Sequence, residues 1–373
     1  VSPKTVVLAG GGGVGKTTSS AALGLALARR GARTLVVTVD PARRLAQAMG
    51  VSIDAHVHSV RMEDGLDGRL FALMPEPRQS TQTFIDLLFE GEPEARERLL
   101  ANRVYQLLAD AAAGMHEVVS LMLVAKAVEE HDLDYLVVDT APSRQGLDFI
   151  AYPGRLATLY EGRAVGWLGS LARSTGDVDD EDGAVRSSGG GLLAAGRRQV
   201  ERLFGRLVNP GTLRDLANMF AELALVKDRF AQLARVSEQL LLGPDTRYVL
   251  VTGPSGSAEA DALFLAQRLK RFGQRPHALL LNKADATTPM WLEHLAADDD
   301  LPRALETALE TVRAELANRR RAGDRLEEVF RKTLPRTTAV RLPTLEQREP
   351  SRIVRNLATL LDAQLSLLAG FQG

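Results

Sequence analysis

The chain has 373 residues, 45% hydrophobic and 25% charged, an ordinary make-up for a soluble globular protein with room for one large α/β domain or two modest ones. A formal net charge of -1 gives no overall reason to expect nucleic acid or an anionic membrane surface as a partner, because such binding rests on clustered positive charge. The absence of cysteine removes disulfides, thiolate metal sites and thiol redox chemistry together. No apolar run approaches membrane-spanning length and the N-terminus reads as strand rather than signal, so the expectation is a cytoplasmic protein with no stable membrane anchor.

The first element is an apolar, β-branched strand over Val6 to Ala9, followed by Gly10-Gly11-Gly12-Gly13-Val14-Gly15-Lys16-Thr17-Thr18 and an alanine- and leucine-rich helical stretch from Ser19 to Arg30. Strand, glycine-rich loop and helix in that order are the context a phosphate-binding loop requires. Glycines let successive backbone N–H groups converge on phosphate oxygens, and the helix adds the positive end of its dipole to the same anion site. Lys16 then reaches the β- and γ-phosphates, the Thr17 hydroxyl ligates Mg²⁺, and Thr18 lies beside the α-phosphate. These residues predict a nucleoside triphosphatase.

A second strand, Thr34 to Val39, ends at Asp40-Pro41-Ala42. Asp40 is placed to orient and polarise an attacking water, or to cap the helix beginning near Pro41, and the two roles are compatible. From Pro77 to His131 the chain reads as several helices, including Thr81 to Leu88, Glu92 to Leu100 and Met115 to Glu129. A third strand, Tyr135 to Asp139, has the Walker B form; Asp139 would hold Mg²⁺ through water, and Thr140 to Gln145 would form a loop able to sense the γ-phosphate. Arg144 in that loop is either a charge stabiliser or a solvated arginine.

From Pro153 to Leu242, apolar residues such as Leu213, Leu216, Phe220, Leu223, Phe230 and Leu233 recur at helical spacing. A helical subdomain inserted at about 77–131 and 153–242 is therefore expected, with a mobile loop over 170–191 where acidic residues meet Ser187-Ser188-Gly189-Gly190-Gly191. Strands at Tyr248 to Thr252 and Ala278 to Asn282 complete the set. Their continuous hydrophobicity predicts burial on both faces, hence an α/β, doubly wound, mainly parallel sheet with ligands at the carboxyl ends of its strands. The last strand runs into Asn282-Lys283-Ala284-Asp285; Asn282 can pair with a purine edge, while the full spelling is also how many GTPases read guanine through the aspartate, so base identity stays open.

The GVGKTT at 13–18, the DPA at 40–42, the DTAP at 139–142, the NK at 282–283 and the segment Leu342-Pro343 resemble, in this order, the ArsA-type family of P-loop ATPases, of the SIMIBI class. That family comprises arsenite-pump ATPases and the guided-entry ATPases that deliver tail-anchored membrane proteins. The resemblance covers nearly the whole chain and implies a single ATPase domain over 1–373 that uses ATP and Mg²⁺ and works as a nucleotide-gated dimer. It implies that Lys16 and Thr17 bind phosphate and metal and that Asp40 activates water. Asp139 belongs to switch II and joins Thr17 and Asp40 around Mg²⁺, directly or through water. Asn282 contacts adenine, with Lys283, Asp285 and Pro343 on the base side. The helical inserts correspond to the region where guided-entry members bind hydrophobic clients; Leu121-Met122-Leu123-Val124 and Met219-Phe220 would line such a groove, or belong to a plain core.

Three departures qualify the transfer. The family's loop reads GKGGVGKT, with an early lysine that reaches across the dimer, and Gly11 stands at that position here. Either Arg43, Arg44 or Arg144 replaces that cation in a homodimer, or the partner is a lysine-bearing paralogue. Without cysteine, neither zinc nor arsenite is expected as a ligand. Switch II continues Ser143-Arg144-Gln145-Gly146-Leu147 where guided-entry members favour a threonine, glycine and histidine run. Two other readings remain. One is a positioning switch like the MinD and ParA ATPases, against which the neutral, apolar Leu357 to Phe371 speaks; the other is a GTP-dependent metallochaperone of the same superclass.

Overall fold

The computed structural model describes residues 2–39, 44–53, 56–66, 69–75, 77–111, 116–141, 210–285, 302–345 and 347–371. Asp40, Arg43, Arg144 and the loop expected over 170–191 lie outside the described residues.

In chain order the elements are β1 (Lys4–Ala9), α1 (Lys16–Arg29), β2 (Thr34–Thr38), α2 (Arg44–Met49), β3 (His58–Ser59), β4 (Leu70–Leu73), α3 (Pro77–Leu88), α4 (Pro93–Ala101), α5 (Arg103–Ala111), α6 (His116–Glu130) and β5 (Tyr135–Asp139). They continue with α7 (Pro210–Leu225), α8 (Lys227–Leu242), β6 (Thr246–Thr252), α9 (Gly256–Arg271), β7 (Pro276–Asp285), α10 (Arg303–Thr333), β8 (Thr338–Pro343), α11 (Pro350–Asp362) and α12 (Leu365–Ala369). Two compact units are present. One is formed by Val1–Glu76, Leu123–Ala151 and Ser237–Gly373, the other by Pro77–Met122 and Tyr152–Val236.

The first unit holds an eight-stranded sheet in the order β3-β4-β2-β5-β1-β6-β7-β8. Every pairing is parallel except the short β3–β4 contact at its edge. β2 and β5 are buried at every residue, as a strand covered on both faces must be. The expected doubly wound, mainly parallel sheet is borne out, and each of the five strands read from apolar runs is present in it. β3, β4 and β8, and the 31-residue helix α10, went unread.

Register places the site. Leu8 of β1 and Thr38 of β2 both pair with Asp139 of β5, so three strands end at one level. Further along, Tyr248 of β6 is fully buried; its hydroxyl donates to the Leu241 carbonyl at 2.6 Å, and burial pushes its pKa far above the ordinary tyrosine value.

α1 begins at the loop and packs along α11, and its far end is fastened by charge. Arg29 grips Glu63 through two parallel hydrogen bonds of 2.7 and 2.8 Å and also donates to the Thr359 hydroxyl at 2.9 Å. The Arg29 guanidinium holds the Glu63 carboxyl below its ordinary value of 4.5.

In the second unit α7 packs against α4 and α5. Asn102 joins them: its amide donates to the Asp215 carbonyl at 2.7 Å, while its side-chain oxygen accepts from the N–H groups of Val104 and Tyr105 at 2.9 and 3.1 Å and so caps α5. Phe84 and Phe230 meet edge to face with centroids 6.1 Å apart.

A carboxylate whose pKa is lowered by folding stabilises the protein above its unfolded pKa, and that stabilisation is lost as pH falls through the folded value. Glu63→Gln is therefore expected to cost about 1 kcal/mol at pH 7, since the pair is partly exposed. The difference from the unsubstituted chain should shrink on acidification below the ordinary value of 4.5, as read by urea unfolding at a series of pH values.

Candidate functional site

The loop from Gly10 to Gly15 leaves the end of β1 and turns into α1 at Gly15, whose φ of 95° lies in the left-handed region. That conformation suits glycine, and a second constraint falls on the same residue: a Cβ there would stand 2.3 Å from Asn282 Nδ2. No side chain caps α1 and its first turn carries no acidic residue of its own, so the first N–H groups of the helix are open to a ligand on the loop side.

Lys16 is only 6% exposed although it begins a helix at a cleft. Its ammonium donates to the Gly11 carbonyl at 2.8 Å, which folds the side chain back across the loop. One residue on, the Thr17 hydroxyl donates to Asp139 Oδ2 at 2.6 Å, and the Thr38 hydroxyl donates to the same oxygen at 3.1 Å. Asp139 is fully buried at the end of β5. Thr140 is held to β1, its hydroxyl donating to the Leu8 carbonyl at 2.9 Å, so the chain leaving β5 starts from a fixed point.

Asn282, at the end of β7, is 7% exposed, and its amide donates to the Val14 carbonyl at 2.8 Å. This residue was expected to meet a base; the structure gives it a loop contact that the sequence did not announce. Lys283, exposed and with φ of 58°, follows it, and Asp285 pairs in register with Pro343 of β8. Pro343, Thr344 and Leu345 therefore come to face the loop across a cleft of about 720 Å³, whose walls include Gly11, Thr18, Lys283 and Arg319. A smaller cavity of about 340 Å³ also borders the loop, bounded by Lys16, Thr17, Thr18, Arg44, Gln47 and Pro350.

The structure thus brings together the loop, Asp139, Asn282, Lys283 and Pro343. Of the three candidate cations only Arg44 falls among the described residues, and it stands in the wall of the smaller cavity beside Lys16 and Thr17. Thr38 and Asp261 were not read from the sequence. Thr38 has a faint signal, lying two residues before the DPA motif; Asp261 has none, being an ordinary helical aspartate until the fold carries α9 to the loop. Among the described residues no group of three or more His, Cys, Asp or Glu gathers as a metal site. A hydroxyl and a carboxylate 2.6 Å apart are nevertheless oxygen donors of the kind that Mg²⁺ takes together with water and phosphate oxygens, so Thr17 and Asp139 fit that ion.

A family described as anion-transporting ATPases matches residues 3–180 of this chain. ATPase get3 of Aspergillus niger is 30% identical over 205 residues, covering 54% of this chain and 55% of that protein. ATPase GET3 of Ajellomyces dermatitidis is 33% identical over 176 residues, covering 46% and 48%. A protein of Aquifex aeolicus, named as an arsenical pump-driving ATPase, is 29% identical over 160 residues, covering 40% and 38%. The chain spans about half the length of the curated relatives it matches. The family resemblance read from the motifs is borne out over the segment that holds the glycine-rich loop and the Walker B strand.

Asn282→Ala is expected to cost about 1 kcal/mol, because it removes the donor to a half-buried Val14 carbonyl. Urea unfolding measures the loss; an unchanged midpoint would show that the loop does not depend on this contact.

Proposed function

We propose, for a chain whose residues 3–180 match the anion-transporting ATPase family, that it binds ATP with Mg²⁺ and hydrolyses the β–γ phosphoanhydride as a molecular switch. The observation that carries the reading is the 2.6 Å hydrogen bond from Thr17 to Asp139, one residue from the buried Lys16 and at the common end of three strands. Such a triad is what an anionic triphosphate and a hard cation require, and a bare glycine turn has no use for it.

In this reading the N–H groups of Gly11 to Gly15 and the start of α1 hold the phosphates, and Lys16 moves its donors from the Gly11 carbonyl to the β- and γ-oxygens. Thr17 and Asp139 hold Mg²⁺, which when bound neutralises charge on the β- and γ-phosphate oxygens. Asp40 orients the attacking water and accepts its proton. Arg44, beside Lys16 and Thr17, supplies in cis the positive charge that Gly11 does not. Asn282, Lys283, Asp285 and Pro343 flank the base, for which adenine is the proposal.

The output belongs to the same reading. A nucleotide-gated dimer, formed with a second copy or with a lysine-bearing paralogue, transmits the state of the site to the helical unit, which contacts a hydrophobic protein client in the cytoplasm. Met122 and Met219 offer adaptable apolar surface for that purpose, although both are buried in the present arrangement, so exposing them is the change that nucleotide would have to drive. No described helix is long and apolar enough to cross a membrane. With no cysteine in the chain, a thiolate arsenite or zinc site is not part of the proposal.

Steady-state phosphate release tests this. The purified chain should turn over ATP only with Mg²⁺, and Lys16→Ala should abolish turnover. Arg44→Ala should lower kcat about ten- to a hundredfold with KM within about threefold, the pattern of charge used only in the transition state. Full activity in Lys16→Ala would exclude the proposal, and unchanged kcat in Arg44→Ala would exclude the arginine.

A further inference from the structure

A carboxylate outside every motif stands against the first arm of the glycine-rich loop. Asp261 lies on α9 and lines the same cleft as the loop, and its Oδ2 is 2.7 Å from where a Cβ on Gly11 would stand. The carboxyl carbon and Cβ of Asp261 lie 3.5 and 3.4 Å from that point, ordinary contact distances, so the carboxylate oxygen alone crowds it. For Gly12 and Gly13, the next residues of the loop, nothing lies within 4 Å of the corresponding position.

Gly11 does not need to be glycine for its backbone. Gly13 and Gly15 take φ of 73° and 95°, while Gly11 stays out of the left-handed region and would accept any L residue there. What a side chain there would meet first is Asp261. The backbone that carries that aspartate is anchored, because Ser255 caps α9 by accepting from the Ala258 N–H at 3.3 Å and the Thr252 hydroxyl donates to the Ala258 carbonyl at 3.0 Å, so a side chain at position 11 is accommodated by turning the Asp261 carboxylate away. These bonds fix the first turn of α9, and Asp261 follows within the next. On the opposite flank, the Gly11 carbonyl receives the Lys16 ammonium.

We infer that Asp261 is a positioning residue for phosphate binding. Its carboxylate locates Gly11, Gly11 locates the Lys16 ammonium, and a side chain at position 11 has to displace the Asp261 carboxylate from the loop. The inference rests on the nucleotide reading above. A lysine placed at this position would meet the Asp261 carboxylate oxygen with its own Cβ and would have to displace it.

A double-mutant cycle on the full chain tests it, with thermal unfolding in the absence of nucleotide and MgATP affinity from fluorescence titration as the two readouts. Gly11→Ala should lower the melting temperature and weaken MgATP binding about tenfold, as overpacking does. In the Asp261→Ala background the same change should shift affinity by less than about threefold, a non-additive result. Asp261→Ala alone should weaken binding about three- to tenfold, whereas Asp261→Asn, which keeps the shape and an acceptor oxygen, should stay within about threefold of the unsubstituted chain. Equal losses from Gly11→Ala in both backgrounds, or full affinity in Asp261→Ala, would overturn the inference while leaving the proposed function standing. If the unsubstituted chain takes up no nucleotide, the proposed function falls and the positioning role with it, while melting temperatures still show whether the two residues are coupled.

Discussion

A hydrogen bond 2.6 Å long, from a threonine at the start of a helix to a buried aspartate at the end of a strand, joins the two halves of the site. Thr17 is placed by the loop and Asp139 by the sheet, and neither placement is local. Asp139 reaches its position because β5 pairs in parallel with both β1 and β2, so that Leu8 and Thr38 stand opposite it. Parallel pairing in turn demands helices on the faces of the sheet and strands apolar throughout, which is the composition these strands have. A buried carboxylate in such surroundings is costly unless hydroxyls or a cation answer it, and Thr17 and Thr38 both answer it at Oδ2, while Oδ1 is buried and receives neither hydroxyl.

The glycine-rich loop is held at several points by unlike chemistry. Asn282 ties its middle at Val14, Lys16 folds back on Gly11, and Asp261 packs against the same glycine from α9. These contacts come from the ends of β7 and β1 and from the helix after β6, which are neighbours only because the sheet order places β1 beside β6 and β6 beside β7. An anion site built from backbone N–H groups needs such external fixing, since its donors are precise only if the loop is.

Much of this was legible in the sequence, for physical reasons that also mark where legibility ends. Runs such as Tyr135 to Asp139 and Tyr248 to Thr252 are continuous because both faces are covered, and they were read as strands for that reason. β4 has four residues and β3 two, too short to establish a period, and β8 alternates exposure at the sheet's edge. α10 is long but buries few residues, Leu309, Leu326 and Phe330 among them, so its apolar stripe is too thin to stand out from a charged background.

The same division runs through the site. Lys16, Thr17 and Asp139 are spelled by motifs because each must sit at a fixed offset from a strand end. Asp261 reaches the site by tertiary approach with no offset to betray it, whereas Thr38 and Arg44 lie close to the DPA motif and carry a weaker mark of the same kind. Asn282 falls between: its motif was visible, yet its bond to the Val14 carbonyl emerges only when β7 lies two strands from β1. Magnesium-dependent nucleotide uptake probes the Thr17–Asp139 pair most directly. Calorimetric titration of ATP should show affinity that rises at least about tenfold on adding Mg²⁺ and a rise that disappears in Thr17→Val, one or two oxygen ligands being what Mg²⁺ takes from protein at such sites. No uptake of ATP, or a magnesium effect that survives Thr17→Val intact, would contradict the account.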